Sequence, residues 1–224
     1  MAPFTLAHDL VLLSYDDAGT DRLGRPALDH GLAGALLVEL ALAGRIAVED
    51  DRLAVVDPTP VGQAQLDAAL ARIAAEPKRR RPRDWITRLA GDLPEQVLDG
   101  LVTAGVLRRE SDRVLWVFPR TRYPSSTGAE PAVESEVRRR MTDAVTGDGP
   151  VDPRTVALVG LVRAVGLDRE VFRGLPKDVV KRRTEELAAG GWAVAATRKA
   201  IEDTQVALLA ATTATTAVII TTIS

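Results

Sequence analysis

The sequence predicts a mainly helical fold: a single domain over residues 1–224, with a central apolar helix bundle, surrounding amphipathic helices and small β-hairpins. Three observations carry this. Apolar residues make up 46% of the 224 residues, charged ones 27%, and mean hydropathy is +0.02, the profile of a chain able to bury a core. Residues 31–43 (GLAGALLVELALA) are apolar almost all round, with Glu39 the only charge, as a helix at the centre of a bundle must be. A unit of helix, glycine and two short apolar runs occurs at 31–56, again at 97–118, and more weakly from Arg182 to Trp192. The unequal spacing of Gly44, Gly105 and Gly190 excludes a solenoid.

Taken in order, Leu6, Leu10 and Leu13 mark a helix over 6–14, closed by the turn-forming Asp16-Asp17-Ala18-Gly19. The apolar helix follows with Asp29 as its expected N-cap and Gly44 as its stop. Residues 45–56 read as a hairpin turning at Asp50-Asp51. Amphipathic helices are expected at 62–75 and 85–90, and a short helix at 97–104 ends at Gly105. Residues 106–118 (VLRRESDRVLWVF) read as a second hairpin turning near Ser111-Asp112, and 123–131 as a loop. Helices are expected at 133–145, 153–165 and 177–189, with a last one starting near Thr197. The uncharged, Thr-rich stretch 204–224 is long enough to span a bilayer, but its threonines and Gln205 suit a core helix with Val206, Leu209, Ala210 and Thr213 on the buried stripe.

Composition excludes several chemistries. There is no cysteine, which removes disulfides, thiolate nucleophiles and sulfur-ligated metals, and His8 and His30 are too few for a histidine metal centre. No GxSxG, Walker A, GxGxxG or HExxH pattern is present, so neither a catalytic residue nor a cofactor is assigned. Gly31 and Gly34 sit inside the apolar helix and read as packing glycines, and the paired aspartates at 16–17 and 50–51 read as turn formers. The N-terminus lacks the basic and apolar regions of a signal peptide, which reads as cytoplasmic, with peripheral membrane attachment open to it. Arg outnumbers Lys by 25 to four in a total of 29, a bias expected of a GC-rich, actinobacterial-like bacterial genome.

The net charge of −2 gives no global field for nucleic acid, yet cations cluster locally. Lys78-Arg79-Arg80-Arg81 with Arg83, then Arg108, Arg109, Arg113, Arg120 and Arg122, flank Trp85, Trp116, Phe118 and Tyr123 without acidic neighbours at helical spacing. Such clusters suit an anionic membrane surface. Arg138–Arg140 and Lys181–Arg183 have Glu134, Glu136, Glu185 and Glu186 at pairing distance along their helices and read as solvated faces. Val114, Trp116 and Phe118 alternate onto one face of a strand with Leu115 and Val117 on the other, the mark of an interaction element and of self-association.

The order of motifs resembles the Golgi phosphoprotein 3 (GPP34, Vps74) family. The stretches that carry the likeness are LAHDLVLL (6–13) with Asp16, Asp17 and Gly19, GLAGALLVELALAGRI (31–46), Asp84-Trp85-Ile86, and LVTAGVL (101–107). The resemblance implies one mainly helical domain that is no enzyme but a peripheral membrane or adaptor protein. Eukaryotic members bind phosphatidylinositol 4-phosphate and the tails of Golgi glycosyltransferases. The family's headgroup pocket uses a Trp, for which this chain has Gly24-Arg25, and an Arg within the motif, where Ala33 stands. Its two further arginines fall nearest Leu93-Pro94-Glu95-Gln96. Arg22, Arg25 and Arg88 are therefore the expected replacements at a headgroup, with Arg79, Arg80 and Arg81 as electrostatic contacts to anionic phospholipid. Two other readings stand beside this one. A protein-only scaffold would bind a protein client. A winged-helix DNA binder would use helix 31–43 for recognition, but that helix has no basic or amide side chain to read a base edge.

Overall fold

A computed structural model describes residues 4–114, 118–189, 203 and 205–210. The first helix, α1 (Leu6–Ser14), falls where its leucine spacing predicts and is buried throughout. It lies against α2 (Arg25–Leu42), whose residues Gly31 to Leu37 are all buried. The start of α2 corrects the sequence reading, which placed an N-cap at Asp29. Gly24, at φ +77°, is the N-cap, and Pro26 sits in the first turn, where its missing N–H costs no helical hydrogen bond. Residues 25–30 carry one core side chain, the buried Leu28, beside Arg25, Pro26, Asp29 and His30, too little for hydrophobic periodicity to reveal a helix. The predicted stop holds: Gly44 adopts φ +69°, and the N–H of Arg45 donates to the carbonyl of Leu40 at 2.9 Å.

The first hairpin pairs β1 (Ile46–Glu49) with β2 (Arg52–Val55), Glu49 opposite Arg52. Asp50 and Asp51, at φ 49° and 59°, form the two-residue left-handed turn that matches the strand twist. Aspartate tolerates this region less well than Asn-Gly does. The double substitution Asp50→Asn with Asp51→Gly is expected to stabilise the fold by roughly 1 kcal/mol. An unchanged or lower urea midpoint would show that the aspartates serve something other than the turn.

Three helices then wrap the α2 surface: α3 (Ala64–Ala75), α4 (Pro82–Leu89) and α5 (Leu93–Thr103). Both α4 and α5 begin several residues before their expected starts, again with proline in the first turn. The second hairpin differs more. Its strands are β3 (Glu110–Val114) and β4 (Phe118–Arg122), so the Ser111-Asp112 pair read as a turn lies within a strand. The register places Glu110 opposite Arg122, and the two pair at 3.5 Å, so one end of the ladder is held by charged residues that resemble a loop.

The remaining helices are α6 (Ala132–Thr146), α7 (Pro153–Ala164), a short α8 (Asp168–Val171) that the sequence did not suggest, and α9 (Lys177–Ala189). One apolar cluster runs from α1 and α2 through α4, α5 and α7 to Leu208. Residues 205–210 are helical, but the expected buried stripe is turned outward: Val206 and Leu209 are 66% and 45% exposed while Leu208 is fully buried. Gln205 sets this rotation by seating its side chain over Gly160, where a Cβ would lie 2.0 Å from Nε2. Thr213 and the rest of that stretch, like the third hairpin at Trp192, lie outside the described residues. Among the described residues no helix is long and apolar enough to cross a membrane.

Candidate functional site

Glu39, the lone charge of the apolar helix, is held by partners remote in sequence. Its Oε2 accepts from the backbone N–H of Leu6 at 2.6 Å, capping α1 from another helix, and its Oε1 pairs with Arg154 of α7. Arg154 also donates to the carbonyl of Phe4 at 2.7 Å and pairs with the buried Asp9 at 3.3 Å, which Arg140 approaches at 3.7 Å. Burial raises the Asp9 carboxyl above the ordinary carboxylate range, against the pull of Arg154 and Arg140. Every charge in this knot is answered by another or by backbone, so it fastens α1, α2 and α7 together and offers no group to a substrate.

His8 borders the knot. Its Nδ1 accepts from the backbone N–H of Thr5 at 3.2 Å, taking the place Glu or Gln holds in a capping box. Burial, and secondarily the charge of Arg154, lowers its pKa to about 4. The unfolded chain therefore binds a proton below about pH 6.5 that the folded one refuses. Stability from this source is complete above pH 6.5 and is lost, up to about 3 kcal/mol, as the pH falls towards 4. Relief of the raised Asp9 carboxyl offsets part of that loss at the acid end. His8→Gln keeps the cap acceptor and should flatten the fall in melting temperature between pH 7 and 5. An equally steep fall in the variant would place the sensitivity elsewhere.

The surface arginines are placed differently from their expected free state. Arg79 pairs with Glu49 across from β1 at 2.6 Å, Arg80 and Arg88 share Glu76 at 3.1 and 3.4 Å, and Arg83 approaches Asp84 at 3.8 Å. Arg108 and Arg122 share Glu110, and Arg109 pairs with Asp99 while stacking 5.5 Å over the Tyr123 ring. Glu49 and Asp99 come from other elements, beyond the reach of neighbour-spacing, whereas Glu76 stands four residues before Arg80, a partner the sequence reading missed. Lys78 and Arg81 are exposed and have no acidic partner among the described residues. Arg113, Val114, Phe118 and Arg120 are placed in the hairpin by its backbone register, and Trp116 lies outside the described residues.

Arg22, Arg25 and Arg88 are not gathered at one point by any described interaction. Arg25 pairs with Asp29 and with Glu95, bringing the two segments assigned to the family's headgroup pocket into contact. Glu95 thus puts a carboxylate beside Arg25. Arg22 instead turns to Glu170 at the end of α8, 3.3 Å away, which also holds Arg173. Arg88 belongs with the basic run after α3 through Glu76. Arg138, Arg139 and Arg140 are paired along their helix as the spacing predicts, Arg140 with Glu136 at 4.0 Å, and Arg140 also reaches the buried Asp9, a partner far off in sequence. The burial of α2 removes the DNA-recognition reading of that helix.

Among the described residues no acidic or histidine cluster could hold a metal ion. What the fold defines is a helical domain with its buried charges engaged in structure and its unpaired cations on the surface. Residues 6–204 match the family model of Golgi phosphoprotein 3 (GPP34), and the chain belongs to that family, a non-enzymatic one. It is similar to Vacuolar protein sorting-associated protein 74 of Eremothecium gossypii, with 28% identity covering 69% of this chain and 51% of the relative. The chain thus spans about half the length of the curated relative it matches.

Proposed function

We propose that this protein is a peripheral membrane or adaptor protein that attaches to anionic phospholipid through surface cations, without the strict selectivity for phosphatidylinositol 4-phosphate of its eukaryotic relatives. The observation that carries the reading is the run Lys78–Arg81 between α3 and α4, with Lys78, Arg79 and Arg81 exposed and Lys78 and Arg81 without an acidic partner among the described residues, in a chain of this family. Lack of strict selectivity follows from the Arg25–Glu95 pair, since a carboxylate beside the headgroup position repels phosphate. Attachment would be to a cytoplasmic leaflet, in a bacterial cell as the Arg bias suggests, and each cation near the surface contributes about 1 kcal/mol.

Substitutions that test this surface must spare Arg80. Arg80 is half-buried against Glu76, so its reversal would place two carboxylates together and disturb the fold. The clean variant is Lys78→Glu with Arg79→Glu and Arg81→Glu, and the control is Arg139→Glu, since Arg140 supports Asp9. The triple reversal should cut binding to vesicles of phosphatidylcholine with phosphatidylglycerol by at least about tenfold. Unchanged binding, or an equal loss in the control, would reject this surface. The β3–β4 hairpin is the element we assign to self-association or a protein client, and a monomeric mass by light scattering at high concentration would count against the former.

A further inference from the structure

A cavity of about 400 Å³ opens between α7, α8 and α9, lined by no residue of the Lys78–Arg81 run or of the Glu39–Arg154 knot. Its walls carry Arg163, Arg169, Arg173, Lys177 and Lys181, with Asp168 the single carboxylate. Two of the five cations are engaged: Arg163 lies 3.8 Å from Glu185, and Arg173 pairs with Glu170. Arg169, Lys177 and Lys181 are exposed and have no acidic partner among the described residues. Lys177 and Lys181 stand one turn apart in the first two turns of α9, where the helix dipole adds positive potential. The inner wall is apolar, formed by the buried Phe172 with Leu175 and Val180. In a chain of net charge −2 this is a concentration of unanswered positive charge facing one concave space.

We infer that this cavity binds a phosphate monoester, its dianion held by Lys177, Lys181 and Arg169 and its ester group resting on Phe172 and Leu175. The charge count selects the monoester. Three free cations against Asp168 leave two positive charges, which a phosphomonoester matches near neutral pH and a singly charged diester does not. Arg169 supplies a planar two-donor fork and the lysines supply point charges on flexible stems, a set that adapts to the oxygens of a terminal phosphate. A lipid headgroup and a small soluble metabolite present the same group, so the test separates them.

Calorimetric titration of the full chain with glycerol 3-phosphate should show saturable binding, and dimethyl phosphate should bind at least about tenfold more weakly. Affinity should rise as the pH passes about 6, where the monoester takes its second charge. Lys177→Gln with Lys181→Gln should weaken the monoester by at least about tenfold, while Arg182→Gln, which removes an exposed charge paired with Glu186, should leave it within about twofold. Melting curves of both variants should match the parent, since all three side chains are exposed. Vesicles of phosphatidylcholine with phosphatidic acid, set against the same with phosphatidylglycerol, then name the source. A preference for phosphatidic acid that the double variant abolishes assigns a lipid headgroup, and no preference together with glycerol 3-phosphate binding assigns a soluble ester. Absence of saturable monoester binding, equal affinity for the diester, or equal loss in Arg182→Gln would overturn the inference. These outcomes are independent of the Lys78–Arg81 variants, so either surface can fail without the other.

Discussion

Gly19→Ala is expected to destabilise the protein by roughly 3 kcal/mol or more, from a left-handed backbone penalty and overpacking together. Gly19 sits at φ +74° in the loop after α1, and a Cβ there would lie 2.2 Å from the backbone nitrogen of Pro124 and 2.4 Å from the carbonyl carbon of Tyr123. Backbone cannot step aside as a side-chain tip can. The same approach lets the N–H of Tyr123 donate to the Gly19 carbonyl at 2.9 Å, and Tyr15 meets Tyr123 edge-on at 6.0 Å, so the loop ties α1 to the end of β4. Gly44→Ala is the comparison: φ is +69° but nothing lies within 4 Å, so only the conformational penalty of about 1–2 kcal/mol applies. Chemical denaturation of the two variants measures the difference. Equal losses would mean that the close approach to Tyr123 and Pro124 contributes nothing.

Removing Arg154 is expected to cost about 3 kcal/mol, because it leaves Glu39 in the protein interior without a cation and Asp9 with only the more distant Arg140. Partial exposure of the guanidinium keeps the figure at the low end of what a broken buried ion pair costs. Arg154→Lys retains the charge but cannot reach Glu39, Asp9 and the Phe4 carbonyl together, so it should fall between. Adding Glu39→Gln to Arg154→Ala should restore part of the loss, since one unpaired charge is removed while the amide oxygen still caps Leu6. A fully additive double variant would show that the two groups do not depend on each other.

Much of the fold is legible in the residues themselves. The leucine spacing of α1, the glycine stops at Gly44 and Gly105, and the Asp50-Asp51 turn are local signals, and the structure keeps all of them. The starts of α2, α4 and α5 are hidden because their first turns carry proline, which punctuates a sequence in the same way as a loop, even though Leu28, Trp85 and Leu93 there are buried. The second hairpin is hidden because Glu110 and Arg122, paired across the strands, replace apolar alternation at its base. At the surface, neighbour-spacing pairs Arg139 with Glu136 correctly but cannot see that Glu49 answers Arg79, that Asp99 answers Arg109, or that Asp9 holds Arg140. For the same reason the run 181–183 reads as one solvated face. In the fold, Arg182 and Arg183 do pair with Glu186 while Lys181 turns to the cavity wall.

The central claim is that this member of the family holds membranes by surface charge and not through a selective headgroup pocket. Flotation of the full chain with phosphatidylcholine vesicles containing phosphatidylglycerol, phosphatidylserine or phosphatidylinositol 4-phosphate, each matched for total charge and run from low to physiological salt, tests it most directly. Exposed charges are screened over about 8 Å at physiological ionic strength, so binding should be similar for the three lipids, absent from phosphatidylcholine alone, and steeply reduced by salt. Saturable binding confined to the phosphatidylinositol 4-phosphate vesicles, or equal binding to neutral ones, would contradict the account.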